Sequence, residues 1–174
     1  QASWTATVDA GGDAVVASDL EFLSLEIKGA NQIQQVFVEK GVTLTGRNEI
    51  QLSTNGVLYF DDATIASNRW LDIQSGALLS GSGTVAATLH NNGFVHNIVP
   101  GIVVKSDYIS FPESILLIEF KEDKNSFFIV EGKAVISGGL KVRIADETSI
   151  VSGKKYTILK SKSLSGSFTN EKSE

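Results

Sequence analysis

The chain has 174 residues, 42% of them hydrophobic and 20% charged, with 16 glycines, 2 prolines and neither cysteine nor methionine. That length suits one domain, and that hydrophobic fraction suits a packed core, so a wholly disordered chain is excluded. The 15 basic and 20 acidic residues leave a net charge of −5, against a general nucleic-acid binder, while the lack of cysteine excludes disulfides, thiolate metal sites and a cysteine nucleophile. No apolar run reaches the roughly 18 residues needed to cross a bilayer, so membrane insertion is not expected. The chain opens with Gln1 and lacks methionine altogether; loss of an initiator, by signal-peptide cleavage or by trimming, is the expectation.

Taken in chain order, residues 20–27 admit two readings. Ser18-Asp19-Leu20-Glu21 spells a helix capping box, and Leu20, Leu23 and Ile27 would share a helical face. Leu23, Leu25 and Ile27 also alternate strictly and lead to the β-branched and aromatic cluster Val36-Phe37-Val38. Strand is the favoured reading. From residue 42 onward, short apolar–polar–apolar triplets recur as Val42-Thr43-Leu44, Ile50-Gln51-Leu52, Leu58-Tyr59-Phe60 and Leu71-Asp72-Ile73, with further apolar centres at Ile65, Leu78 and Val85. The centres advance in steps of 6 to 8 residues, separated by turn formers such as Thr54-Asn55-Gly56 and Gly81-Ser82-Gly83. A beat of about seven leaves no room for hairpins. It suits a chain that bends three times per coil and pairs with the coil above, giving a rung of roughly 21 residues. Residues 20–150 would supply about six rungs, or roughly 30 Å of stack.

Charge and composition change beyond residue 104. Residues 1–104 carry 4 basic and 10 acidic side chains, and residues 105–174 carry 11 and 10, with Pro100 and Pro112 bracketing the change. Two parts of one domain are expected, β-helix rungs over 1–104 and either further rungs or a β cap or small sandwich over 105–174. Longer strands are predicted at Ser114–Phe120, Phe127–Val130, Leu140–Ile144 and Tyr156–Leu159, and no stretch has a convincing helical period. The lysines at 154–162 read as a solvent face, which also blunts an exposed β edge.

The segments LDIQSGALLSGSGTV (71–85), NNGFVHNIVPG (91–101), SILLIEF (114–120), FFIVEGKAVISGGLKV (127–142) and GKKYTILKSKSLSGSF (153–168) resemble, in order and spacing, a pattern of bacterial autotransporter passenger domains and related β-strand-repeat exoproteins. The resemblance covers a little over half the chain. It implies a right-handed parallel β-helix, secretion, and a role as a scaffold or adhesive surface; an all-β chain without enzymatic activity or cofactor is expected.

Several residues are candidates for chemistry. Gly81-Ser82-Gly83-Thr84-Val85-Ala86 matches a dinucleotide fingerprint in form, but that motif needs a following helix, and a strand is predicted there. His90 and His96 could meet only across a turn at Asn91-Asn92-Gly93, without a nearby third ligand; they read as polar turn residues, and no metal site is expected. No G-x-S-x-G elbow occurs. Asp61-Asp62 and Asn68-Arg69-Trp70, with Tyr59 close by, form the most binding-like group. Carboxylates and Arg bond sugar hydroxyls and an aromatic face stacks on a sugar ring, so Trp70, Arg69, Tyr59, Asp61 and Asp62 are candidate ligand-binding residues. The plainer reading is a polar turn with Trp70 covering a rung. The function expected is a structural or adhesive surface protein that self-associates through its open coil ends into a filament, sheath or surface layer. A carbohydrate-binding module is the alternative, and a polysaccharide lyase on the same fold a more distant one.

Overall fold

A computed structural model describes residues 5–9, 12–121, 124–144 and 153–169; residues 145–150, at the end of the expected rung region, lie outside them. Every regular element among the described residues is a β-strand. In chain order they are β1 (Thr5–Val8), β2 (Gly12–Val16), β3 (Leu20–Ile27), β4 (Gln34–Val38), β5 (Thr43–Leu52), β6 (Gly56–Ile73) and β7 (Leu78–Asn91). They continue as β8 (Phe94–Val104), β9 (Tyr108–Ser110), β10 (Ile115–Lys121), β11 (Lys124–Asn125), β12 (Phe127–Ile136), β13 (Gly139–Ile144) and β14 (Leu159–Gly166).

Pairing is parallel along almost the whole chain, and each coil gives one strand segment to each of three faces. The first face stacks Ala6, Leu25, Ile50, Leu71, Leu89, Tyr108 and Ala134 in register. The second stacks Ala14, Val36, Leu58, Leu79, Val95, Leu116 and Leu140. The third stacks Leu44, Ile65, Val85, Val104 and Val130. The result is a right-handed parallel β-helix of about 6 turns. Leu44 pairs with Ile65 and Leu58 with Leu79, each 21 residues on, which matches the rung length predicted from the beat of seven.

Strand alternation explains the core. Ile50, Leu52, Leu58, Leu71, Ile73, Leu79 and Leu89 are all fully buried, and each such side chain contributes about 2 kcal/mol of transfer free energy. Because the coils stack, a buried residue in one rung packs on its register partners above and below, so the rows form one continuous core.

The strand reading of residues 20–27 holds, with one adjustment. The β3–β5 register slips between Phe22 and Ser24, so Phe22, Leu25 and Ile27 turn inward and Leu23 does not share their burial. Asp19 Oδ1 accepts the Thr43 backbone N–H of the next coil at 2.8 Å, where the capping-box reading would have aimed it at a helix N-terminus. Beyond residue 105, β12 continues the ladders of β8 and β9 and β14 continues that of β12, all in parallel. Among the described residues the one antiparallel feature is the short β10–β11 pairing, Phe120 opposite Asn125. The strand expected at Tyr156–Leu159 instead begins at Leu159, because Leu159 is the first residue to take register against Phe128. Tyr156 packs edge-on against Phe120 with ring centroids 5.0 Å apart.

The glycine turn at 81–83 is a corner where backbones nearly touch. Gly81 and Gly83 have φ of 148° and 128°, and a Cβ on either would collide with the Phe60 or Ala63 carbonyl oxygen of the preceding coil. Gly81→Ala should therefore lower unfolding free energy by about 2 kcal/mol or more. The exposed corner substitution Asn68→Ala should stay within about 0.5 kcal/mol. Urea unfolding followed by circular dichroism compares the two, and equal midpoints would refute this account of the corner.

Candidate functional site

The second face carries its outward side chains in a row set by the same register. Val15, Phe37, Tyr59, Ser80 and His96 follow one another, one coil apart. Phe37 and Tyr59 stack with ring centroids 4.9 Å apart and planes 13° from parallel, a spacing imposed by the strand separation of about 4.8 Å. At the next coil the row drops to Ser80, and the ladder of rings is interrupted.

A second irregularity turns that interruption into a groove. The β7–β8 register passes from Gly81 opposite Asn97 to Gly83 opposite Ile102, so four residues, Ile98 to Gly101, stand against Ser82 alone. Asn97 Oδ1 accepts the Ile102 N–H at 2.6 Å and closes this outward excursion. Between the Phe37–Tyr59 rings and the Ile98–Val99 wall lies a cleft of about 330 Å³. Its floor is Ser80, Gly81 and Ser82, and Asp61 stands at its rim. Ser80 and Ser82 are 1% and 3% exposed, so the floor is recessed and polar.

Hydrogen bonding distinguishes the floor residues. Ser80 Oγ lies 3.2 Å from His96 Nδ1. His96 Nε2 is buried without a hydrogen-bond partner among the described residues, and burial holds the imidazole below its ordinary pKa; Glu119 opposes this shift and Arg143 adds to it. Ser82 Oγ and the Asp61 carboxylate make no hydrogen bond among the described residues. Neighbouring Asp62, at the corner with φ 45°, is engaged by Lys40 Nζ at 3.1 Å.

The five residues singled out in the sequence do not form one site. Tyr59 and Asp61 belong to the groove, and Asp62 sits beside it in its pair with Lys40. Arg69 and Trp70 lie past the next corner, at the start of the first face, where Ser67, Asn68 and Arg69 oppose Ala87 alone. There the Arg69 guanidinium rests 4.1 Å from the centre of the Trp70 ring, and Trp70 stacks on His90 at 5.7 Å. His90 in turn meets the edge of Phe111. The Trp70 ring is thus engaged by the chain's own side chains. His90 and His96 point outward from different faces and do not meet. Gly81-Ser82-Gly83-Thr84-Val85-Ala86 lies inside β7 and continues as strand. Phe37, Ser80, Ile98 and Val99 are not among the site residues singled out in the sequence, and Ser82 figures there only within the glycine-rich fingerprint; the 21-to-22-residue spacing of Phe37, Tyr59 and Ser80 is the signal that places three groove residues in one row.

One polar node is buried in the core. Asn91 Nδ2 donates to Tyr108 Oη at 3.0 Å, and Asn91 Oδ1 accepts the Gly93 N–H at 3.1 Å. Burial pushes the Tyr108 phenol up to about 12, with Asn91 and Ser110 opposing the shift, so it stays neutral. Comparison with protein-family models, with curated proteins and with solved structures gives no match.

His96 supplies a pH test. Its folded pKa lies below the unfolded value of about 6.5, so the unfolded chain takes up a proton first as pH falls. Its contribution to stability is present above that value and is lost as pH drops from about 6.5 toward the folded pKa. Between pH 8 and pH 5 the wild type should lose more stability than His96→Gln in urea unfolding. Parallel losses in the two proteins would refute the assignment.

Proposed function

We propose that this chain is an exported, non-catalytic β-solenoid that serves at a cell surface as a structural and adhesive element. The resemblance to autotransporter passenger domains and β-strand-repeat exoproteins supports this reading. The observation that carries it is the parallel stack, which holds its outward rows in register and sets a preformed, aromatic-walled groove into one of them. Such a surface loses little conformational freedom on contact, the economical way to build a binding face.

The purified chain should be retained saturably on surfaces coated with bacterial or host-cell polysaccharides, and it should release no reducing ends or unsaturated sugars from them, with or without chelator. Absence of retention on every coating would overturn the adhesive role, and product release would overturn the non-catalytic one.

End-to-end self-association is a second reading, favoured by the outermost described strands. Among the described residues β2 pairs only with β4, β13 only with β10 and β14 only with β12. These strands bear Val15, Val142, Ile144 and Leu164, all well exposed, with Val15 at 60% and Leu164 at 61%. Unpaired edges with apolar side chains template further strands. Light scattering should show a mass that grows with concentration for the wild type and stays monomeric for Leu164→Lys combined with Val142→Lys. A wild type that is monomeric at every concentration would remove this reading.

A further inference from the structure

We infer that the groove on the second face binds a neutral pyranose unit, stacked on Tyr59 and hydrogen-bonded by Asp61 and Ser82. This rests on the adhesive reading above and names the ligand class of its groove. Four observations converge on it.

The first is a ring face left uncovered. Phe37 covers one face of Tyr59, and the planes are near parallel, so the opposite face looks along the solenoid axis toward Ser80, where no ring follows. The gap spans two strand separations between the rows of Tyr59 and His96, about 9–10 Å. A pyranose ring presents a face of C–H groups that packs on such a ring, while its rim carries hydroxyls.

The second is hydrogen-bonding capacity in the right place. Asp61 and Ser82 are register partners on adjacent strands, so both reach the same part of the cleft. The Asp61 carboxylate accepts from hydroxyls and the Ser82 hydroxyl both donates and accepts, and neither is hydrogen-bonded among the described residues. A purely apolar ligand would cover these groups without bonding them, at the cost that attends an unsatisfied polar group. A ligand with hydroxyls around an apolar face avoids that cost.

The third is charge. Lys40 pairs with Asp62 and acts on Asp61 only as a weaker, unbonded charge; among the described residues no cation is bonded to Asp61, so one cation stands beside two carboxylates and the rim keeps a net negative charge. A uronate or sulfated sugar would bring a second negative charge beside Asp61, which selects for uncharged sugars.

The fourth is size and rigidity. About 330 Å³ lies at the small end of ligand clefts and suits one or two sugar rings, not a protein segment. The walls are strands paired on both sides and a loop closed by Asn97, so the cleft is formed before the ligand arrives.

The test is calorimetric or NMR titration of the full chain with linear tetramers of glucose, galactose, mannose, N-acetylglucosamine and galacturonate. At least one neutral tetramer should bind, at least about tenfold more tightly than the galacturonate tetramer. Tyr59→Ala should weaken that binding about tenfold or more, whereas Tyr59→Phe should hold it within about threefold. Asp61→Asn should weaken neutral binding and shrink the discrimination against galacturonate. Trp70→Ala, on the other face, should leave affinity unchanged. Failure of all neutral tetramers to bind, or binding that Asp61→Asn and Tyr59→Ala leave intact in folded protein, would overturn the inference. Polysaccharide retention that survives these groove variants would overturn it while leaving the adhesive reading standing; loss of retention by the wild type itself would strike that reading instead.

Discussion

Backbone pairing between successive coils governs this molecule. Each strand segment must place its N–H and C=O groups opposite those of the coil before and after it, at a fixed separation of about 4.8 Å. Once that ladder is set, every side chain inherits a neighbour one coil away. Inward positions must repeat a shape that stacks on itself, and the leucines and isoleucines from Leu25 to Leu89 do so. Outward positions are aligned just as strictly, so Phe37 and Tyr59 stack because the ladder leaves them nowhere else to go.

The same constraint explains where irregularity appears. Extra residues cannot be absorbed within a face, so they are expelled at corners: Asp62, the Ser67–Arg69 stretch and the Ile98–Gly101 excursion. Each changes what the outer surface offers while the inward rows continue undisturbed. The groove arises where one such excursion stands beside a row position that has shrunk to serine.

This division also decides what could be read from the amino-acid order. The beat of seven, the 21-residue rung and the all-strand character were legible, because Val42-Thr43-Leu44, Ile50-Gln51-Leu52 and their successors obey a local alternation that burial enforces. The register slip at Phe22–Ser24 and the late start of β14 were not, since each depends on a partner strand more than twenty residues away. The candidate site was half legible for a related reason. Tyr59, Asp61, Arg69 and Trp70 are close in sequence, but the coil turns two corners between them and delivers them to different faces. Proximity along a solenoid is a poor guide to proximity in space; separation by one rung is the better guide, and it joins Phe37, Tyr59 and Ser80.

The hydrogen bond between Asn91 and Tyr108 has a further consequence. Aliphatic rows are forgiving, because an oily stack displaced by two positions still finds oil above and below. A buried amide facing a buried phenol is less forgiving, since an alignment that parts them costs both a bond they make inside the core. The pair therefore acts as an index mark in an otherwise repetitive coil, fixing which turn sits upon which.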